Sequence, residues 1–470
     1  MKVALAGFNV ERAILEEARA RFHDAVTPEV LSASYARISR DPRGIAALRS
    51  EARREVGKAR RSNERIVFGF GHRSIAEHAV LNLDVSGISR LAVEEIEHFR
   101  LASYTEKSQR YVRLGKDIVV PPEIRGSRCE RAFRALMGEL HEAYKEAFRI
   151  IRGSSGDAGV AKEDARYLMP LATSTQLGMT VNARELEYMI GRLAGHELAE
   201  LRLFAGKAFG VARTSIPSLV RYPEPTAHCL DIPVVRAEIS RAVTGRGAGR
   251  ELREGRVRLI DVTEDADERL AAWIIFSSCR VSAEEAEKLA RGMGKDRREA
   301  IIAKTIRALA PHDPVWREFE SIRFVFELTV SASCYAQLKR HRMATLVPQR
   351  YDPFLGIEVP ETFIRSSAVT LLRRAAARAE RFYRAHAKEL GPAAEYGLLN
   401  AHRRQVLFAI NLRELYHFSR LRGDPSAQWE IREVSDEMCR EARTEVPAGA
   451  ILLGGKDQFE ESKRKLNPNK

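Results

Sequence analysis

Apolar and polar residues alternate through AVLNLDV (79–85) and again through IRFVFELTV (322–330), where branched and aromatic side chains add strand preference. VRLIDV (257–262) has the same character. After the first of these the period changes. From 88 to 101, Ile88, Leu91, Ala92, Ile96 and Phe99 fall on one helical face, and helical spacing recurs over 129–151, 184–209, 370–390 and 412–421. Each half of the chain thus predicts a strand that runs into a helix, with polar residues at and beyond the helix end. The expected class is α+β, a small sheet with long helices in each half.

The halves also share longer segments. HFRLASYTEKSQRYV (98–112) is echoed by RHRMATLVPQRYD (340–352), and NARELEYMIGRLAGHELAELR (182–202) by NLRELYHFSRLRGDPSAQWEIR (411–432). Each Arg-Tyr leads into a short extended run ending in proline, DIVVPPEI (117–124) and GIEVPETF (356–363). Three landmarks in one order, 229 to 240 residues apart, predict a tandem duplication of a domain-sized unit. The expected division is a first repeat over 1–222, a linker over 223–256, a second repeat over 257–455 and a frayed polar tail over 456–470. GRGAGREL (245–252) has half of a dinucleotide-binding fingerprint, but no apolar strand leads into it, so it reads as linker.

Composition narrows the functional classes. Of 470 residues, 44% are apolar and 30% charged, as in soluble globular proteins, and no apolar run approaches the length of a membrane helix. The first residues turn charged too soon for a secretory leader. Five scattered cysteines without a CxxC pair predict reduced thiols, a cytoplasmic location and no thiolate metal site. Glu94, Glu95, Glu97 and His98 run consecutively along a helix and do not share a face, so no metal is expected there or elsewhere. The net charge of +14 suits anionic partners, nucleic acid or phosphorylated small molecules. No helix-turn-helix, zinc-finger or stacking-aromatic motif supports nucleic acid, and no membrane partner is expected.

Two clusters carry candidate chemistry. Arg340, His341 and Arg342 close a helix, where cations answer the negative end of the helix dipole or could hold an electron-rich cofactor. Glu106, Ser108 and Arg110 alternate, so an extended segment presents a carboxylate, a hydroxyl and a guanidinium on one side. That set suits the sugar and phosphate of a nucleotide, or a polar loop held by an Arg–Glu pair.

GHRSIAEH (71–78), HFRLASYTEKSQRY (98–111), EDAR (163–166) and NAREL (182–186) resemble the flavin-dependent thymidylate synthases, whose signature is Arg-His-Arg, seven residues, then Ser. The second half keeps Arg340-His341-Arg342, then NLREL (411–415) and SAQWEIR (426–432). The resemblance implies conversion of deoxyuridylate to thymidylate with bound FAD, NADPH as reductant and methylenetetrahydrofolate as one-carbon donor. It also implies a four-domain assembly, hence a homodimer of the tandem chain. By the same resemblance Arg340, His341, Arg342, Asn411, Arg413, His417 and His72 face the cofactor. Glu106, Ser108, Arg110, Arg166, Gln337 and Arg340 face the nucleotide, and Arg422 stands beside the uracil as the catalytic group. His312 is the counterpart of His72.

The two repeats depart from the family pattern in opposite ways. The first has His98 and Phe99 where Arg-His is expected, and Glu95 in place of the preceding glutamine. The second has a shorter loop, TLVPQRY, without the Glu and Ser, and Glu395 in the place of Arg166. One composite site follows as an expectation: flavin side and Arg422 from the second repeat, phosphate side from the first. A core ion pair between Arg422 and Glu430 is the structural rival for that arginine. The functional rivals are a flavin enzyme acting on another pyrimidine nucleotide and a silent paralogue that binds flavin or nucleotide.

Overall fold

The structure is a computed structural model that describes residues 9, 11–22, 26–38, 41–113, 115–244 and 255–466. The chain folds as two compact units, and their boundaries cut across the sequence repeats. One unit comprises residues 1–107, 119–127 and 174–249; the other comprises 108–118, 128–173 and 250–470.

In the first unit, β1 (Val80–Ser89), β2 (Ala102–Glu106) and β3 (Ser174–Asn182) form an antiparallel sheet in the order β1-β3-β2. Gly87, at φ +69°, supplies the left-handed residue of a bulge between Ser86 and Ile88. Ile88 therefore belongs to the strand, and the helix expected from 88 to 101 is confined to Arg90–Ile96. Ser89 Oγ caps it by accepting from Ala92 N at 3.0 Å. His98 and Arg100 consequently lie beyond the helix end.

The long helix expected over 184–209 is two helices, Ala183–Ala194 and Ala199–Ser215. The break has local causes: Gly195 packs so closely on Pro225 that a Cβ would stand 3.1 Å from it, and Glu123 accepts from Ala199 N at 2.6 Å. The stretch read as linker carries a helix, Ala227–Thr244, which includes Pro233. GRGAGREL lies outside the described residues.

In the second unit, β4 (Val257–Val262), β5 (Arg323–Ser331), β6 (Thr345–Pro348) and β7 (Arg403–Asn411) are ordered β4-β5-β7-β6, all antiparallel. One sheet face buries Phe324, Phe326, Leu328, Phe408 and Ile410 against Phe418, Ile431, Val434 and Met438 of two helices, Leu412–Arg422 and Trp429–Glu445. The described part of the C-terminal segment, through Leu466, is ordered against the core. Residues Phe459–Leu466 are helical, Phe459 is buried in the same core, and Lys463 Nζ donates to the Leu309 carbonyl at 2.8 Å.

The first repeat contributes to this unit directly. Its helix Glu130–Ser155 packs on Ala368–Leu390 of the second repeat, with Phe133 and Phe382 rings 5.7 Å apart and Arg378 on Glu139 at 2.7 Å. Beyond those helices, two segments 229 residues apart pair about Pro170 and Leu399. Leu171 N donates to Leu398 O at 2.8 Å, and its counterpart Asn400 N to Met169 O at 2.8 Å. Ala172 N donates to Tyr396 O, and Ala401 N to Tyr167 O, each at 3.1 Å. Each bond is returned by the equivalent pair, the signature of a two-fold contact made within one chain. The fold is α+β with two tandem domains. Among the described residues no helix is long and apolar enough to cross a membrane.

Candidate functional site

In the second unit, β5 turns into the helix Ala332–Leu338 at Ser331, whose Oγ accepts from Cys334 N at 3.1 Å. That turn delivers Arg340, His341 and Arg342 just past a short helix. Arg340 is exposed and Arg342 half-buried, while His341 is 3% exposed with its ring 4.7 Å from Phe418. Arg422 Nε donates to His341 Nε2 at 3.0 Å. An acceptor at Nε2 requires the proton of the neutral ring to sit on Nδ1, which faces Glu414 Oε1 at 3.5 Å. Burial first, and then the charges of Arg422, His417 and Arg340, hold the imidazole well below its ordinary pKa. Ligand atoms of His341, Glu414 and His417 lie within 4.8 Å of one another, but a protonated Nδ1 has no lone pair for a cation.

Arg422 itself is pushed down to about 10 by burial and by neighbouring Arg340, so it stays charged at neutral pH. Its second hydrogen bond, from Nη2, goes to the Gln337 carbonyl at 3.5 Å. Among the described residues no carboxylate pairs with it. Glu430, the rival partner, is engaged elsewhere: it accepts from Ser331 N at 2.9 Å, from Ser331 Oγ, and from Tyr167 Oη at 2.6 Å.

Beside these groups lies a cleft of about 390 Å³ whose lining includes His312, Met343, Asn411, Arg413, Glu414 and His417. Asn411 Oδ1 caps its helix by accepting from Glu414 N at 2.8 Å, and Arg413 binds Val315 O at 3.1 Å and Glu320 at 2.8 Å. The first unit repeats this arrangement: Asn182 caps Glu185 N at 2.9 Å, and Arg184 pairs with Glu77. The Asn-x-Arg-Glu-Leu motif therefore builds a helix start in both repeats, whatever else it binds.

The second unit contains three of the four expected phosphate-side residues, Ser108, Arg110 and Arg166. Arg110 pairs with Glu163, and its Nη1 donates to Ser426 O at 2.7 Å, four residues beyond Arg422. Ser108 Oγ accepts from Arg110 N at 3.1 Å and Tyr111 N at 3.2 Å, which shapes the loop. Arg166 is buried at the start of a short 3-10 turn. Glu106, the fourth, ends β2 in the first unit, buried and paired with Arg90. His72 is exposed in that unit as well.

A relay absent from the sequence reading joins the two sides. Gln337 Nε2 donates to Gln428 Oε1 at 3.3 Å, and Gln428 Nε2 to Tyr167 Oη at 2.9 Å, one residue from Arg166. Gln428 lies within the shared SAQWEIR segment, the one signal that could have pointed to it. The shortened loop of the second repeat is held on β7 as that of the first is on β3, where Lys107 N donates to Gln176 O at 2.9 Å. Gln349 N donates to Gln405 O at 2.9 Å, and Arg404 is sandwiched between the rings of Tyr335 and Tyr351 at 4.6 and 4.3 Å.

Asp164, two residues before Arg166, accepts from Thr362 Oγ1 at 2.7 Å and Trp429 Nε1 at 3.0 Å. Burial nevertheless raises its pKa to about 6. Its folded value exceeds the unfolded one, so the folded state holds the extra proton and stability falls as pH rises from about 4 to 6, by at most about 3 kcal/mol. Asp164→Asn is expected to remove this slope. All three tryptophans (273, 316 and 429) lie in this unit, so urea unfolding followed by their fluorescence between pH 4 and 7 checks it. Identical slopes in both proteins would dismiss the assignment.

The sequence model of the thymidylate synthase complementing protein family matches twice, over residues 22–218 and 258–448. A UPF0159 protein of Thermoplasma acidophilum is 24% identical, across 90% of this chain and 94% of its own length. A UPF0159 protein of Chlamydia muridarum is 26% identical, across 85% of this chain and 81% of its own. The flavin-dependent thymidylate synthase of Thermococcus onnurineus is 31% identical over 175 residues, 35% of this chain and 68% of that protein. With both repeats matched, and most of the chain covered, the chain belongs to the thymidylate synthase complementing protein family as a tandem pair of its domains.

Proposed function

We propose that the chain methylates deoxyuridylate to thymidylate at one composite site in the second unit, using FAD, NADPH and methylenetetrahydrofolate. The observation that carries this reading is the grouping of Ser108, Arg110 and Arg166 from the first repeat with Gln337, His341 and Arg422 from the second, linked through Gln428 and Tyr167. The donor set fits an anionic nucleotide beside a flavin: an arginine without a carboxylate, a neutral histidine that orients it, and a cleft lined by Asn411, Arg413 and His417. When bound, the flavin supplies hydride transfer to the one-carbon unit.

Arg110 and Arg166 hold the nucleotide phosphate, and the Ser108 hydroxyl adds a hydrogen bond. Arg422 stabilises negative charge as it develops on the pyrimidine ring, which gives C5 the electron density to attack. His341 keeps that guanidinium oriented without competing for a proton. The loop at 345–352 lacks the Glu and Ser of the first repeat, and Arg404 stands over its Tyr351 ring at 4.3 Å, which supports a single working site. The pairing of Glu106 with Arg90 favours, as the second reading, another pyrimidine nucleotide with a different sugar.

Tritium release from C5-labelled deoxyuridylate tests the proposal. Release is expected to require FAD, NADPH and methylenetetrahydrofolate together. Arg166→Ala is expected to weaken deoxyuridylate binding about 10- to 100-fold, the worth of one or two charge-assisted hydrogen bonds. Release without any one of the three components rejects the activity, and undiminished binding by the variant rejects the composite site.

A further inference from the structure

Asn400 belongs to the second repeat, yet its side chain serves the first. One amide nitrogen, Nδ2, donates to Gln109 Oε1 at 2.9 Å and to the Arg166 carbonyl at 3.0 Å. Gln109 sits between Ser108 and Arg110, so one buried amide ties the loop carrying those residues to the backbone of Arg166. The amide is itself immobile. Asn400 is 1% exposed, its own N donates to Met169 O at 2.8 Å, and its carbonyl accepts from Ser333 N at 3.1 Å.

The two-fold counterpart of Asn400 is Leu171, which has no donor to offer. The clamp therefore exists on one side of the pseudo-symmetric contact only, the side that keeps Ser108, Arg110 and Arg166. It also fixes Gln109: with Oε1 accepting from Asn400, Nε2 is the remaining donor, and it is buried with no acceptor among the described residues. A buried amide donor left over in the residue before Arg110, and tied through Asn400 to the backbone of Arg166, is suited to an oxyanion.

Resting on the reading that this site takes a nucleoside monophosphate, we propose that Asn400 is the positioning residue of the phosphate half-site and that Gln109 Nε2 donates to the phosphate. Asn400→Leu installs the counterpart residue and removes the clamp. Gln109→Glu keeps the acceptor for Asn400 and turns the free donor into an anionic oxygen. Calorimetric titration of the full chain with deoxyuridylate and with deoxyuridine separates a phosphate-specific role from a structural one. Both variants are expected to lose at least about tenfold in affinity for deoxyuridylate while binding deoxyuridine within about twofold of wild type.

Equal weakening of both ligands, or unchanged deoxyuridylate binding, overturns the proposal. Should Asn400→Leu fail to fold, Gln109→Glu decides on the same criteria. If the wild-type chain binds no deoxyuridylate, the reading of the preceding section falls, and inorganic phosphate becomes the probe. The same loss in the variants then upholds the clamp, and equal affinity overturns it.

Discussion

Arg422→Ala is expected to lower tritium release from deoxyuridylate by about a thousandfold, the upper range for removing one donor aimed at developing negative charge. The same variant is expected to melt no lower than the wild type. The two outcomes have one cause. Arg422 is half-buried, carries its charge at neutral pH, and meets no carboxylate among the described residues. A cation held that way costs stability, because part of its hydration is lost and no opposite charge returns it. Among the described residues its acceptors are a histidine nitrogen and, through one long bond, a carbonyl. Removing it relieves the fold and disarms the site. Arg422→Lys is expected to recover only a small part, since a lysine ammonium cannot reproduce the geometry fixed by the Nε bond to His341. Parallel losses of melting temperature and release would instead make Arg422 a structural residue.

Glu430→Ala is expected to show the opposite balance, a loss of about 3–5 kcal/mol in the stability of the second unit, as for breaking a fully buried charged network. The carboxylate is entirely buried and accepts from the Ser331 backbone, the Ser331 hydroxyl and the Tyr167 hydroxyl. Truncation strands three donors at once. The first unit has a related capping carboxylate: Glu200 accepts from Ser89 N at 2.8 Å and Ser89 Oγ at 2.7 Å. Tyr167 adjoins Arg166, so Glu430→Gln, which keeps one acceptor oxygen, should retain more stability than Glu430→Ala and still weaken nucleotide binding. Denaturant unfolding by tryptophan fluorescence measures the first effect, and a loss below about 1 kcal/mol, the worth of one ordinary hydrogen bond, would remove Glu430 from this role.

Much of this architecture was legible because it is periodic or repeated. Alternation located β1, β4 and β5, and the paired segments around Asn182 and Asn411 located two equivalent helix starts. Local pattern failed where tertiary contacts decided. Ile88 has the spacing of a helix residue but is drawn into β1 by the bulge at Gly87, and Gly195 breaks a helix because Pro225 needs the space. The grouping of Arg110 and Arg166 with the second repeat was reachable from complementary losses in the two copies. The residues that join them were not. Tyr167 and Glu430 are 263 positions apart, and Asn400 and Gln109 are 291 apart, so no window of sequence contains either pair. Glu106 and Ser108, two positions apart, fall on either side of the boundary between the units, which no sequence pattern marks.

The exchange of hydrogen bonds between 167–172 and 396–401 also sets an order of events during synthesis. The helix Glu130–Ser155 leaves the ribosome with its apolar stripe of Phe133, Leu140, Tyr144 and Ile151 ready, but Ala368–Leu390 follows more than two hundred residues later. At about 5–20 residues per second that is a wait of roughly ten seconds or longer. Through that interval the nascent chain carries an uncovered sticky surface whose proper cover has not been made. Joining two such domains in one polypeptide thus makes the cover of the first wait on synthesis of the second.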